Sequence, residues 1–155
     1  MSDDPFAPLD AWLLRELRAL SPESLRPLFG DIGQDLRRRH QARIAAQTGP
    51  DGEAWAARKF RKPRPGQVRK KQAMLLGLRE ARRLKLKVSA AGIELGYSGS
   101  DGRIATIHQH GLVDAVTKGG PRVKYPARPL LGLSADDIAA VKSRLFQALD
   151  RASRS

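Results

Sequence analysis

At Leu84 the apolar residues of this chain change their period, and that change limits the folds open to it. Upstream, Leu9, Leu13, Leu17 and Leu20 recur every three or four residues, with Trp12 and Leu14 widening the stripe, which is the repeat of one face of a helix. From Leu84 onward, Leu86 and Val88 alternate with Lys85, Lys87 and Ser89, and Ile93, Leu95 and Tyr97 alternate with Glu94 and Gly96. That is the two-residue repeat of strands buried on one face. Helical segments followed by hairpins, without a regular strand-helix alternation, indicate an α+β fold.

Turn residues set the expected boundaries. A first helix over 8–20 gives way at Ser21-Pro22, where serine can cap and proline, lacking an amide, suits the first helical turn. A second helix should then run to about Gln47, with Gly30 and Gly33 as the points where it would break, and stop at the turn cluster 48–52. Its Arg37, Arg38, Arg39 and Arg43 lie roughly opposite Leu36, Ile44 and Ala45. Leu75, Leu78, Ala81 and Leu84 suggest a third helix over 69–83.

Beyond it a hairpin turns at Ala91-Gly92, and the turn 98–102 opens a short helix over 103–110 that carries Ile104, Ile107 and His108 on one face and ends at Gly111. A second hairpin turns around 118–121, and its outgoing strand stops at Pro126 because proline cannot donate to a ladder. Ser134 with Asp137 three residues on forms the pattern of a capping box, opening a last helix through Ile138, Val141, Leu145 and Leu149. The two hairpins are expected to make one small antiparallel sheet. A chain of 155 residues matches one domain, here residues 1–155, with 1–7 as a flexible tail.

Charge is the strongest functional signal. Residues 37–87 hold 17 Lys or Arg against Asp51, Glu53 and Glu80, a local net of +14, while the whole chain carries +13, so the rest of the chain nets −1. Within 58–71 stand Arg58, Lys59, Arg61, Lys62, Arg64, Arg69, Lys70 and Lys71 without one carboxylate, and the Pro and Gly content marks a basic arm or long loop at about 57–70. A local excess of this size attracts polyanions and acidic protein surfaces alike. Phe60 and Trp55 could stack on bases, but two aromatics without a groove make a weak single-strand signature. Trp55 is better read as an anchor fixing the base of the arm in the core.

The search for chemistry is largely negative. Zero cysteines remove disulfides, thiolate metal sites and cysteine nucleophiles. His108 and His110 form an H-x-H pair, yet two residues apart on a helix they point to different faces, so a packed His108 and a surface His110 is expected in place of a metal site. The run Gly96-Tyr97-Ser98-Gly99-Ser100 fails as a nucleophile elbow because neither serine has glycine both two before and two after it. No phosphate loop is present, and Asp136 and Asp137 fit a helix start better than a catalytic pair. No cofactor is called for. The acidic opening residues do not suit a signal peptide, and no apolar run approaches the roughly 18 residues of a membrane span, so synthesis in the cytoplasm is expected.

Four segments taken in order resemble the phage virion morphogenesis family, also called phage tail completion proteins, of Mu-like and other contractile-tailed phages and prophages. They are 36–47 with Pro50, Asp51, Gly52 and Trp55; the Met74-Leu75 segment leading to Gly96-Tyr97-Ser98-Gly99; Arg103-Ile104-Ala105 with 107–112, including His108 and Gly111; and Gly120-Pro121 with Tyr125-Pro126-Ala127-Arg128-Pro129-Leu130-Leu131-Gly132. The order spans roughly residues 10–150, and His110 stands where family members more often carry an aromatic residue. The resemblance implies a structural role without enzyme activity at the tail end or head-tail junction, made in the host bacterial cytoplasm and residing in the virion tail or neck. It also implies a homo-oligomeric ring with tail tube, tail terminator or neck and head-completion proteins as partners, and non-specific contact with packaged DNA. A ring needs two different patches that meet; the arm and the acidic positions Asp3, Asp4, Asp10, Asp136 and Asp137 are the candidates. Arg128, between prolines, reads equally as an ion-pair partner or an interface contact. The alternative from charge alone is a basic nucleic-acid-binding accessory protein; a small hydrolase has almost no support.

Overall fold

In the computed structural model, which describes residues 7–59, 65–66 and 73–155, the helix start foreseen at Ser21-Pro22 opens the longest element. The Ser21 hydroxyl accepts from the Ser24 amide at 3.3 Å, and α2 (Pro22–Ala46) runs 25 residues behind α1 (Ala7–Arg18). At about 1.5 Å per residue α2 is long enough to pass two separate packing centres. Neither Gly30 nor Gly33 breaks it. A Cβ at Gly33 would lie 2.8 Å from Leu86 Cδ1, so this glycine lets the helix backbone settle onto the first hairpin.

That hairpin pairs β1 (Lys85–Ser89) with β2 (Gly92–Gly96), Leu86 opposite Leu95 and Val88 opposite Ile93. Its half-buried residues alternate with exposed Lys85, Lys87 and Ser89, as the period predicts. After α3 (Gly99–His110), β3 (Val113–Ala115) pairs with β4 (Arg122–Lys124), and α4 (Ala135–Ser153) closes the order. The class is α+β as expected, but the hairpins form two separate two-stranded sheets.

Three local expectations need correction. The helix expected over 69–83 is a 3-10 turn at Leu76–Arg79; Leu75 at φ 60° is left-handed and Glu80 is extended, so no α-helix can pass through. Positions 69–72 lie outside the described residues. Leu78 and Leu84 are buried nonetheless, carried inward by consecutive turns. α3 begins at Gly99, four residues before the expected start, and buries Ala105 with His108, leaving Ile104 41% exposed. α1 starts at Ala7, inside the stretch assigned to a tail, whose residues 1–6 lie outside the description.

Two apolar clusters sit along α2. One joins Leu13, Leu17, Leu25, Ile32 and Leu145 from α1, α2 and α4, with Ile93 of β2 against it. The other gathers Ile44, Trp55, Leu78, Ala105 and Leu130 around the C-terminal end of α2. The second cluster positions the features that bear on function.

Candidate assembly surface

The second cluster is laced by two irregular strands of chain. Residues 47–57 leave α2 through a tight turn in which Gly49 and Gly52 amides bond to Glu53 and Gly49 carbonyls, and the Asp51 carboxylate accepts the Glu53 amide at 3.1 Å. Opposite runs the strap 125–132. Trp55 Nε1 donates to the Pro129 carbonyl at 3.0 Å with the indole only 8% exposed, so the tryptophan does anchor this segment in the core. Arg128, buried at 3% exposure, donates through Nε to the Ala56 carbonyl at 2.9 Å and through an Nη to the Ala57 carbonyl at 3.3 Å. It is therefore neither an ion-pair member among the described residues nor a surface contact. Burial lowers its pKa from the ordinary value, and the two carbonyls are what this charge has in place of a carboxylate.

The same strap docks on α3. The Arg128 amide donates to the His108 carbonyl at 2.6 Å and the Tyr125 amide to the Leu112 carbonyl at 3.0 Å. Gly111 ends α3 at φ 63°, where a Cβ would stand 2.9 Å from the Ala127 amide nitrogen. Only glycine meets both demands. His108 is buried with its ring edge-on to Tyr125 at 5.0 Å, and His110 is exposed. Burial first, and the Arg128 charge second, lower the His108 pKa. Gln109 completes the lacing by accepting the amides of Leu130 and Leu131 at 2.8 and 2.9 Å. Trp55, His108, Gly111, Tyr125, Arg128 and Pro129 thus come together around the proline-rich strap that also holds Pro126, with Pro50 against its Gly132, while Asp51 and Gly52 are exposed in the turn.

This scaffold fixes where the basic segment leaves and returns. The Ala56 and Ala57 carbonyls held by Arg128 immediately precede Arg58 and Lys59, both exposed. On the return side the Gln47 side chain accepts the Met74 amide at 2.7 Å and donates to the Met74 carbonyl at 2.9 Å. Arg61, Lys62, Arg64, Arg69, Lys70 and Lys71 lie outside the described residues.

The rest of the basic third divides by role. Arg43 donates to Asp137 at 2.8 Å and to the Gly132 carbonyl at 3.0 Å; Arg39 lies 3.6 Å from the other Asp137 oxygen and 3.0 Å from Asp35. Asp137 is 1% exposed and also completes the capping box with Ser134, so it is not available to a neighbouring molecule as the sequence suggested. Its burial raises the carboxyl pKa, but the Ser134 and Arg43 hydrogen bonds outweigh that and leave it below the ordinary value. Asp10 pairs with Lys142 at 3.1 Å, while Asp3 and Asp4 fall outside the description. By contrast Arg58, Lys59, Arg79 and Lys87 are exposed and form no salt bridge among the described residues, and they flank the arm in sequence.

Sequence reasoning missed His40. It is buried on α2, its Nδ1 2.7 Å from the Leu36 carbonyl and its Nε2 accepting the Gly132 amide at 3.4 Å, and burial foremost lowers its pKa. Only its spacing of four from Ile44 and from Leu36 could have placed it inward. Among the described residues no group of three or more His, Asp or Glu side chains could hold a metal ion, and no helix is long and apolar enough to cross a membrane.

The helix-and-hairpin body thus holds the chain on both sides of the basic segment, through Arg128 before it and Gln47 after it. Residues 5–150 match the phage virion morphogenesis family, and the chain belongs to it. It is 34% identical over 137 residues to the tail completion protein S of Escherichia phage P2, covering 87% of this chain and 91% of that relative. No solved structure matches the chain.

Proposed function

We propose that residues 1–155 act as a single tail-completion unit, a structural protein without enzyme activity that closes the phage tail or joins it to the head. The observation that carries this reading is the 34% identity to the tail completion protein of phage P2 across nearly the full length of both chains. On this reading the protein assembles in the host bacterial cytoplasm, stays in the tail or neck, and forms a homo-oligomeric ring that meets the tail tube, tail terminator or neck and head-completion proteins. The basic arm supplies the grip. Its anchored base supports such a role, because a loop held at both ends loses less freedom on docking than a free tail. Electron microscopy of particles made without this chain is the test: separate tails and filled heads are expected, and normal joined particles would reject the proposal.

The cations flanking the arm that form no salt bridge among the described residues favour one second reading, contact with packaged DNA as an accessory nucleic-acid binder. Affinity for duplex that falls steeply with salt, together with joined particles in the absence of the chain, would favour it over the first.

A further inference from the structure

A cleft of about 770 Å³ opens between α3 and the second hairpin, away from the arm in sequence. Its mixed polar and apolar lining includes two apolar side chains left in the open, Ile104 at 41% and Val116 at 36% exposure. Lys118 and Arg122 also line it and form no salt bridge among the described residues, whereas Arg103 and Asp114, likewise in the lining, neutralise each other at 2.7 Å. His108 also lines the cleft, and its Nδ1 is buried with no hydrogen-bond partner among the described residues.

Exposed apolar side chains beside two cations that form no salt bridge among the described residues suit a protein segment carrying a carboxylate better than a nucleic-acid backbone, which offers charge alone. The chain itself has the complement. At the start of α4, Leu133 and Ile138 hold the N′ and N4 positions of a hydrophobic staple, yet remain 56% and 42% exposed. Between them Asp136 is exposed and forms no salt bridge among the described residues. We propose that the Leu133, Asp136 and Ile138 corner of one copy docks in the α3–hairpin cleft of the next, with Asp136 facing Lys118 and Arg122. The two patches differ, so the contact is heterologous, the kind a ring requires. The proposal rests on the ring reading above and names the surfaces that would build it.

Sedimentation of the full-length chain tests it with three variants: Lys118→Glu with Arg122→Glu, Asp136→Arg, and all three substitutions in one chain. All the sites are exposed, so circular dichroism should be unchanged. The wild type is expected to form a defined oligomer, each one-sided reversal to weaken association by about tenfold or more, and the swapped chain to regain most of the loss. An oligomer indifferent to the reversals would overturn the docking and leave the ring reading standing. Weakening without recovery in the swapped chain would overturn the α4 corner as the occupant. A wild-type chain that stays monomeric at every concentration would overturn both the docking and the ring, with tail closure still judged separately by particle morphology.

Discussion

Gln47 holds Met74 from both sides of its peptide backbone, accepting the amide at 2.7 Å and donating to the carbonyl at 2.9 Å. The Gln47 carbonyl meanwhile accepts the Trp55 amide at 2.7 Å. One residue at the C-cap of α2, in the left-handed conformation at φ 59°, therefore ties together the departure and the return of the basic segment. Replacing Gln47 with Ala strands two Met74 groups and should lower the unfolding free energy by about 1–3 kcal/mol in a urea titration. A loss below the error of extrapolation would show that the tie contributes nothing.

Asp137 and Arg43 join positions 94 residues apart, and the same carboxylate caps α4. Asp137→Ala leaves Arg43 as a charge largely out of water with only the Gly132 carbonyl as partner, and it removes the cap. The expected loss is about 3–5 kcal/mol. Asp136→Ala, one residue earlier and exposed, should cost about 0.3–1 kcal/mol through the helix dipole alone. Equal effects from the two substitutions would refute the distinction between them.

The buried histidines give stability a pH dependence of known sign. His40 bonds as a neutral ring, donating to the Leu36 carbonyl and accepting from Gly132, and its pKa is lowered, as is that of His108. The unfolded chain takes up these protons near pH 6.5 while the folded chain resists them until lower pH. Unfolded protein thus binds more protons in that window, and stability present above about pH 6.5 is lost as the pH falls toward the folded values. Denaturation midpoints should drop between about pH 7.5 and pH 5.5, and His40→Gln should flatten the slope. The lowered Asp137 carboxyl adds a separate loss that begins only near and below about pH 4. A midpoint that is flat or rises on acidification from neutrality would contradict the assignment.

The fold was legible where local chemistry decides it. Ser21-Pro22 and Ser134 with Asp137 mark helix starts through bonds made within three residues, and the alternation from Leu86 to Leu95 fixes the first hairpin. Burial of Trp55 followed from a large apolar side chain set just after a turn cluster. What stayed hidden depends on partners distant in sequence. Arg43 reads as one more member of a basic run until α4 brings Asp137 against it, Gln47 has no local signal for Met74, and Arg128 finds carbonyls where the sequence suggested a carboxylate or another molecule. The missed 3-10 turn has a different origin. The threefold spacing of Leu75, Leu78, Ala81 and Leu84 fits linked turns as well as a helix, and only the left-handed Leu75 separates them.

We propose above all that the charge of the basic segment 58–71 grips other components of the particle. The most direct measurement replaces Arg58, Lys59, Arg61, Lys62, Arg64, Arg69, Lys70 and Lys71 with Gln, keeping loop length and the Gln47, Trp55 and Arg128 contacts, and counts infectious joined particles when this variant is the only copy supplied. The account predicts a folded chain with an unchanged unfolding midpoint and a collapse in joined particles. A wild-type yield from the neutralised loop would contradict it.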